Sequence, residues 1–167
     1  MKGRSPIITP VLKRSLTIFG MIAMVICFSS SLFAQPKDAA YHTLGKEILD
    51  LINEHRTGMG LSPLVMNDVI VAAAQNHSRN MGAKKVPFGH QGFDARMDKL
   101  GKQLKPVSGF AENVAYGPIK AKDAVELWLN SPGHKKNIEG DYNLTGIGIA
   151  KGKDGELYYT EIFVHKK

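Results

Sequence analysis

The single cysteine of this 167-residue chain, Cys27, lies inside an apolar run near the N-terminus. Everything after residue 34 is therefore free of thiols. A domain built there can use neither a disulfide framework nor thiol chemistry, and it must hold together by burying apolar side chains. The run itself, Leu16 to Phe28, follows Lys13-Arg14 and precedes Ser29-Ser30-Ser31-Leu32-Phe33-Ala34-Gln35. A basic start, an apolar centre and a small residue before a polar one read as a secretory signal peptide cut after Ala34. The run is short for a full membrane span, so the mature chain is expected to have no transmembrane segment and to be secreted or periplasmic.

Export also accounts for much of the positive charge. Residues 1–34 carry Lys2, Arg4, Lys13 and Arg14 and no acids, which leaves 18 basic against 15 acidic residues in the rest. Those positives are dispersed, with no stripe of basic and aromatic residues, so nucleic acid is not an expected partner.

The pattern along the chain divides it into a signal peptide (1–34), a short polar leader (35–43) and one domain (44–167). Leu44, Ile48, Leu51 and Ile52 recur at helical spacing until Gly58 and Gly60 stop the helix. Leu61-Ser62-Pro63-Leu64 is extended. Asn67 is an N-cap for a second helix that closes at Gly82. A third helix is expected over 93–100, ending at Gly101, then a loop over 102–109 and an extended segment over 110–116. A helix over 120–130 places Ala124, Val125, Trp128 and Leu129 inward, and Pro132-Gly133 breaks it. Asn143 to Ala150 and Leu157 to His165 flank Asp154-Gly155, a hairpin signal. The expected fold class is mixed α/β (α+β).

Three short patches hold the residues able to do chemistry: Phe88-Gly89-His90, Ala111-Glu112-Asn113-Val114 and Trp128-Leu129-Asn130-Ser131-Pro132-Gly133-His134. Imidazole and carboxylate brought together can bind a metal or move protons. Asn53 and Arg56, one helical turn apart, are read as scaffold that bonds loop carbonyls, since a guanidinium offers five donors. Ser131 lacks the flanking elbow of a serine nucleophile. His77 is read as a core or half-buried histidine within its helix, and Glu161, on the last strand, as an exposed charge in the first place and a residue approaching the cleft in the second.

The order Asn53-x-x-Arg56, His90, Glu112-Asn113, Trp128…Ser131-Pro132-Gly133-His134, then Gly146-Ile147-Gly148 and an aromatic final strand, resembles the CAP superfamily of cysteine-rich secretory, antigen 5 and pathogenesis-related proteins. It is most similar to the bacterial SCP-like extracellular branch. The resemblance implies a three-layer α-β-α sandwich with a C-terminal hairpin. It implies a cleft lined by His90, Glu112 and His134, supported by Asn53, Arg56, Asn113, Trp128, Ser131, Pro132 and Gly133. The family's fourth cleft residue, a Glu one turn after the helix Trp, is Ser131 here. Two imidazoles, His90 and His134, with one carboxylate suit Zn²⁺ and leave an open position for water. Three functions remain open: a non-catalytic extracellular or envelope module that binds a lipid, peptide, envelope component or protein; a zinc-dependent hydrolase using His90, Glu112 and His134; and a structural envelope domain with a vestigial cleft.

Overall fold

A computed structural model describes residues 36–117 and 120–167. The signal-peptide reading therefore falls outside the described residues, apart from the chain that follows its expected cut. Among the described residues no helix is long and apolar enough to cross a membrane. Phe33–Lys167 is a unit in its own right.

The sequence periodicities become five helices and four strands among the described residues, in the order α1 Pro36–Gly58, β1 Val65–Met66, α2 Asp68–Gly82, α3 Phe93–Leu104, β2 Val107–Gly117, α4 Ala121–Leu129, α5 Pro132–Ile138, β3 Leu144–Lys151 and β4 Leu157–Lys166. The strands form one sheet in the order β1-β3-β4-β2. Only β1 and β3 run parallel; β4 pairs antiparallel with both β3 and β2.

Alternation along the strands sorts the side chains into two cores. Tyr159 and Phe163 of β4, with Ala111 and Ala115 of β2, join Ile48, Ile52, Ala124, Val125, Trp128 and Ile138 from α1, α4 and α5. Ile162 and Val164 turn the other way and meet Ile70, Ala74, Met97, Leu100 and Leu104 from α2 and α3. The result is an α-β-α sandwich whose final two strands form a hairpin. With no thiol to help, these two cores carry the fold, at about 25 cal/mol per Å² of apolar surface buried.

The layer of α2 lies very close to β3, and two glycines permit it. A Cβ added at Gly146 would collide with the Ile70–Val71 backbone, and one at Gly148 with the Ala74–Gln75 backbone. The Gln75 amide then bonds both the N–H and the carbonyl of Ile149, at 2.9 and 2.7 Å.

Local signals survive folding. The Asn67 side chain accepts from Val69 and Ile70 N–H, and Gly155 turns the hairpin with a φ of 88°. Four expectations are corrected. Residues 36–43 are not a loose leader but the opening turns of α1, where Tyr41 packs against the first core. Gly101 does not end α3, which continues to Leu104 because Gly101 sits against Val107 and Phe110, close enough that a small residue packs well. The segment 102–109 is consequently not a loop: β2 starts at Val107. Pro132-Gly133 begins a helix rather than serving only as a turn; Pro132 occupies the first helical position of α5, where its missing N–H costs no hydrogen bond.

Candidate functional site

The Glu112 side chain points toward the α2 and α3 side of the sheet, with Phe110 and Val114 on the same strand face. Its side chain is 1% exposed, and Arg96 of α3 closes over it. Arg96 Nε donates to Oε2 at 2.8 Å and Nη2 donates to Oε1 at 2.8 Å. This two-pronged arrangement is the strongest form of a guanidinium–carboxylate pair. His90 approaches the same carboxylate from the loop, with Nδ1 3.0 Å from Oε1. A carboxylate in an ion pair can only accept, so His90 Nδ1 carries the proton. Nε2 is left on the outer edge of the ring, on a side chain that is 49% exposed.

His77 completes the cluster from α2. Its Nε2 donates to the Gly89 carbonyl at 2.8 Å and lies 3.9 Å from Glu112 Oε1. That bond fixes the loop carrying His90. Burial pushes the His77 pKa below the ordinary histidine range, and the nearby Arg96 charge pushes the same way, against the Gly89 bond and Glu112. A neutral His77 therefore supports a paired Glu112.

His134 stands beside this group without joining it. Burial, then the neighbouring His90, lowers its pKa, while its buried Nδ1 has no hydrogen-bond partner among the described residues. Its backbone carbonyl accepts from Asn113 Nδ2 at 3.2 Å. Asn137 Nδ2 bonds both Asn113 Oδ1 and the Glu112 carbonyl, at 2.9 and 3.3 Å. Asn113 thus ties β2 to α5, and α5 places His134 at the edge of the site.

The other scaffold residues also have defined partners. Asn53 spans the Leu64 backbone, accepting its N–H and donating to its carbonyl. Arg56, 2% exposed, donates to the carbonyls of Ser62, Ile138, Gly140 and Tyr142. It locks the end of α1 to the loop that follows α5. Trp128 is fully buried and donates to the Val114 carbonyl at 3.2 Å. Ser131 is the N-cap residue of α5 but makes no side-chain capping bond.

Glu161 is the clearest departure from the sequence reading. It is not exposed at all. Burial raises its carboxyl pKa to about 8, despite a Thr145 hydrogen bond and the Arg56 charge that both act to lower it. Thr145 Oγ1 lies 3.1 Å from Glu161 Oε1 and 3.0 Å from the Ile162 carbonyl. The carbonyl can only accept, and a hydroxyl has one proton. The Thr145 proton is directed toward these two acceptors, and the donation toward Glu161 is the part that opposes burial.

Two members of the site were missed in the sequence. His77 looks like any helical histidine, and Arg96 lies in no recognisable motif. The available signal for Arg96 was indirect: a buried carboxylate needs a counter-charge.

The donor set does not fit the expected three-ligand zinc site. Both Glu112 oxygens are held by a guanidinium, whose charge would repel an incoming cation. Among the described residues no three histidine, cysteine or acidic side chains are placed to share an ion.

Comparison with known proteins agrees with this architecture. The sequence model of the cysteine-rich secretory protein family, CAP, matches residues 49–164. Two Bacillus subtilis proteins, the uncharacterized membrane protein YlbC and the uncharacterized protein YkwD, are each 32% identical over 127 residues. Those alignments take in 74% and 72% of this chain but only 35% and 47% of the relatives, so the chain spans a third to a half of their length. A crystal structure of an extracellular protein containing an SCP domain from Bacillus anthracis superposes with a TM-score of 0.63 at 26% identity, covering 79% of this chain and 44% of that one. An outer surface protein of Borrelia burgdorferi superposes at 0.64 with 24% identity, covering 73% and 92%; at that identity the likeness speaks for the fold alone.

Proposed function

The chain belongs to the cysteine-rich secretory protein family, CAP, and from that premise we propose that it is a non-catalytic binding module of the bacterial envelope or extracellular space. One observation carries this reading. Glu112, the carboxylate best placed to act as base or metal ligand, is buried and held on both oxygens by Arg96. A general base must be free to accept a proton from its substrate. Glu112 instead serves as an anchor that orients Arg96 and, through His90, the loop between α2 and α3.

The two Bacillus subtilis relatives and the Bacillus anthracis structure are bacterial, and the last is of an extracellular protein. Together with the N-terminal export pattern, this supports action outside the cytoplasm. The ligand class is a lipid, peptide, envelope component or protein that meets the exposed edge of His90.

A second reading has its own support. The outer edge of the His90 ring, which carries Nε2, is half exposed, and burial, then the charge of a protonated His90, lowers the pKa of His134 beside it. With both rings deprotonated, the two imidazoles would form a weak site for Zn²⁺, with Glu112 an outer partner that orients His90 rather than a ligand.

Calorimetric titration of zinc, paired with ester, peptide and glycan hydrolysis assays, tests both readings. The binding-module reading expects no turnover in the presence or absence of zinc. Zinc-dependent hydrolysis that disappears in Glu112→Gln would overturn it. The two-imidazole reading expects weak binding near neutral pH that is lost in His90→Ala and His134→Ala, and lost as pH falls and the rings protonate.

A further inference from the structure

The end of the domain bearing the β3–β4 turn displays aromatic and basic surface that the Glu112 site does not use. Phe88 and Tyr116 are 51% and 52% exposed, with ring centroids 5.4 Å apart. Both rest on the buried ring of Tyr158, at 6.4 and 5.5 Å. Tyr158 is itself pinned: its hydroxyl donates to Asp154 Oδ2 at 2.7 Å and accepts from Lys84 Nζ. Lys84 also pairs with Asp154 at 2.6 Å and lies 5.0 Å from the Tyr158 ring centroid. The two outer rings thus sit on a fixed seat and are held toward solvent instead of folding inward.

Three further lysines lie on the segments around the β3–β4 turn. Lys85 follows Lys84, and Lys151 and Lys153 flank Gly152, which lies against both Gly82 and the Tyr158 ring. The Lys153 N–H donates to the Gly82 carbonyl at 3.0 Å, which holds the turn to the end of α2. Lys85, Lys151 and Lys153 are exposed, and none has an ion-pair partner among the described residues. Asp154 is committed to Lys84, which leaves Glu156 as the other acid of the turn.

We propose that this end of the domain docks on an anionic lipid bilayer. Unpaired lysines are drawn to anionic headgroups. Aromatic rings with one side apolar settle at the boundary between headgroups and acyl chains. A soluble polyanion would satisfy the lysines but would gain little from two aromatic rings held outward, so the rings select the bilayer. His90 is two residues beyond Phe88, so docking brings the site near the lipid surface. The inference does not depend on whether that site binds metal or performs chemistry.

The test is co-sedimentation of the Phe33–Lys167 unit, which contains both cores, with vesicles of phosphatidylglycerol and phosphatidylcholine or of phosphatidylcholine alone. Binding is expected only with phosphatidylglycerol and should weaken with salt. Changing Lys85, Lys151 and Lys153 together to Gln should lower the partition coefficient about a hundredfold, at roughly fivefold per lysine. Phe88→Ala with Tyr116→Ala should lower it about tenfold or more, with circular dichroism and melting unchanged. Absence of binding to the anionic vesicles, or wild-type binding by the lysine variant, would overturn the proposal. So would wild-type binding by the aromatic variant, which would mark the surface as a polyanion site and not a bilayer site.

Discussion

Glu112 and Glu161 lie one residue out of register on the neighbouring strands β2 and β4, face opposite sides of the sheet, and are both buried. Glu112 receives a guanidinium from α3 within 2.8 Å and is paired as an anion. Glu161 faces the other core, where the buried cation Arg56 spends its donors on four carbonyls. No cation comes within ion-pair distance of Glu161 among the described residues, and it keeps its proton. Burial thus favours the neutral form unless a partner is delivered at close range. The site face of the sheet has such a partner; the scaffold face does not.

The sharpest way to break this contrast is to take the cation from Glu112. Arg96→Met should cost about 3–5 kcal/mol of stability at neutral pH, because it strands a buried charge. The double variant with Glu112→Gln should recover much of that loss. Denaturant unfolding measures both, and a loss under about 1 kcal/mol in the single variant would show that Glu112 does not rely on Arg96.

The next effect belongs to Glu161. Its folded pKa is raised to about 8 from the ordinary 4.5. Between those values the folded chain holds a proton that the unfolded chain has released. This group's contribution to stability is therefore full below about pH 4.5. It falls with rising pH, by up to about 1.4 kcal/mol per unit, and levels off above about pH 8. Glu161→Gln should flatten that part of the stability profile. Identical slopes in the two proteins would place the proton elsewhere.

Thr145→Val removes the hydroxyl that donates toward Glu161 and the Ile162 carbonyl and should cost about 1–2 kcal/mol. The same substitution in the Glu161→Gln background should cost a different amount, since the two groups share one hydrogen bond.

The smallest effect is expected at the second partner of Glu112. His90 is half exposed, so His90→Ala should lower stability by less than about 1 kcal/mol, against the much larger loss from Arg96→Met. Comparable losses would mean that His90, and not Arg96, is the residue that keeps the carboxylate buried.

What the amino-acid order alone determined is what chemistry within a few residues controls. The Asn67 cap, the Asp154-Gly155 turn and the inward face of α4 are local matters of hydrogen bonding, backbone freedom and helical spacing, and they were legible. The motif order also located the His90–Glu112 pair, through resemblance. Even short-range signals could mislead: Gly101 resembles a helix end until Val107 and Phe110 pack against it, and Pro132 resembles a break although it opens α5.

The ionic state of the two glutamates was decided only in three dimensions. Arg96 is 16 residues from Glu112 and His77 is 35, with no spacing rule connecting them. In the sequence Glu161 is one charged residue on an alternating strand; the helices packed on that face make it a buried acid. Charge burial is settled by which groups arrive within about 4 Å of one another, and that distance is set by the packing of layers, not by neighbours along the chain.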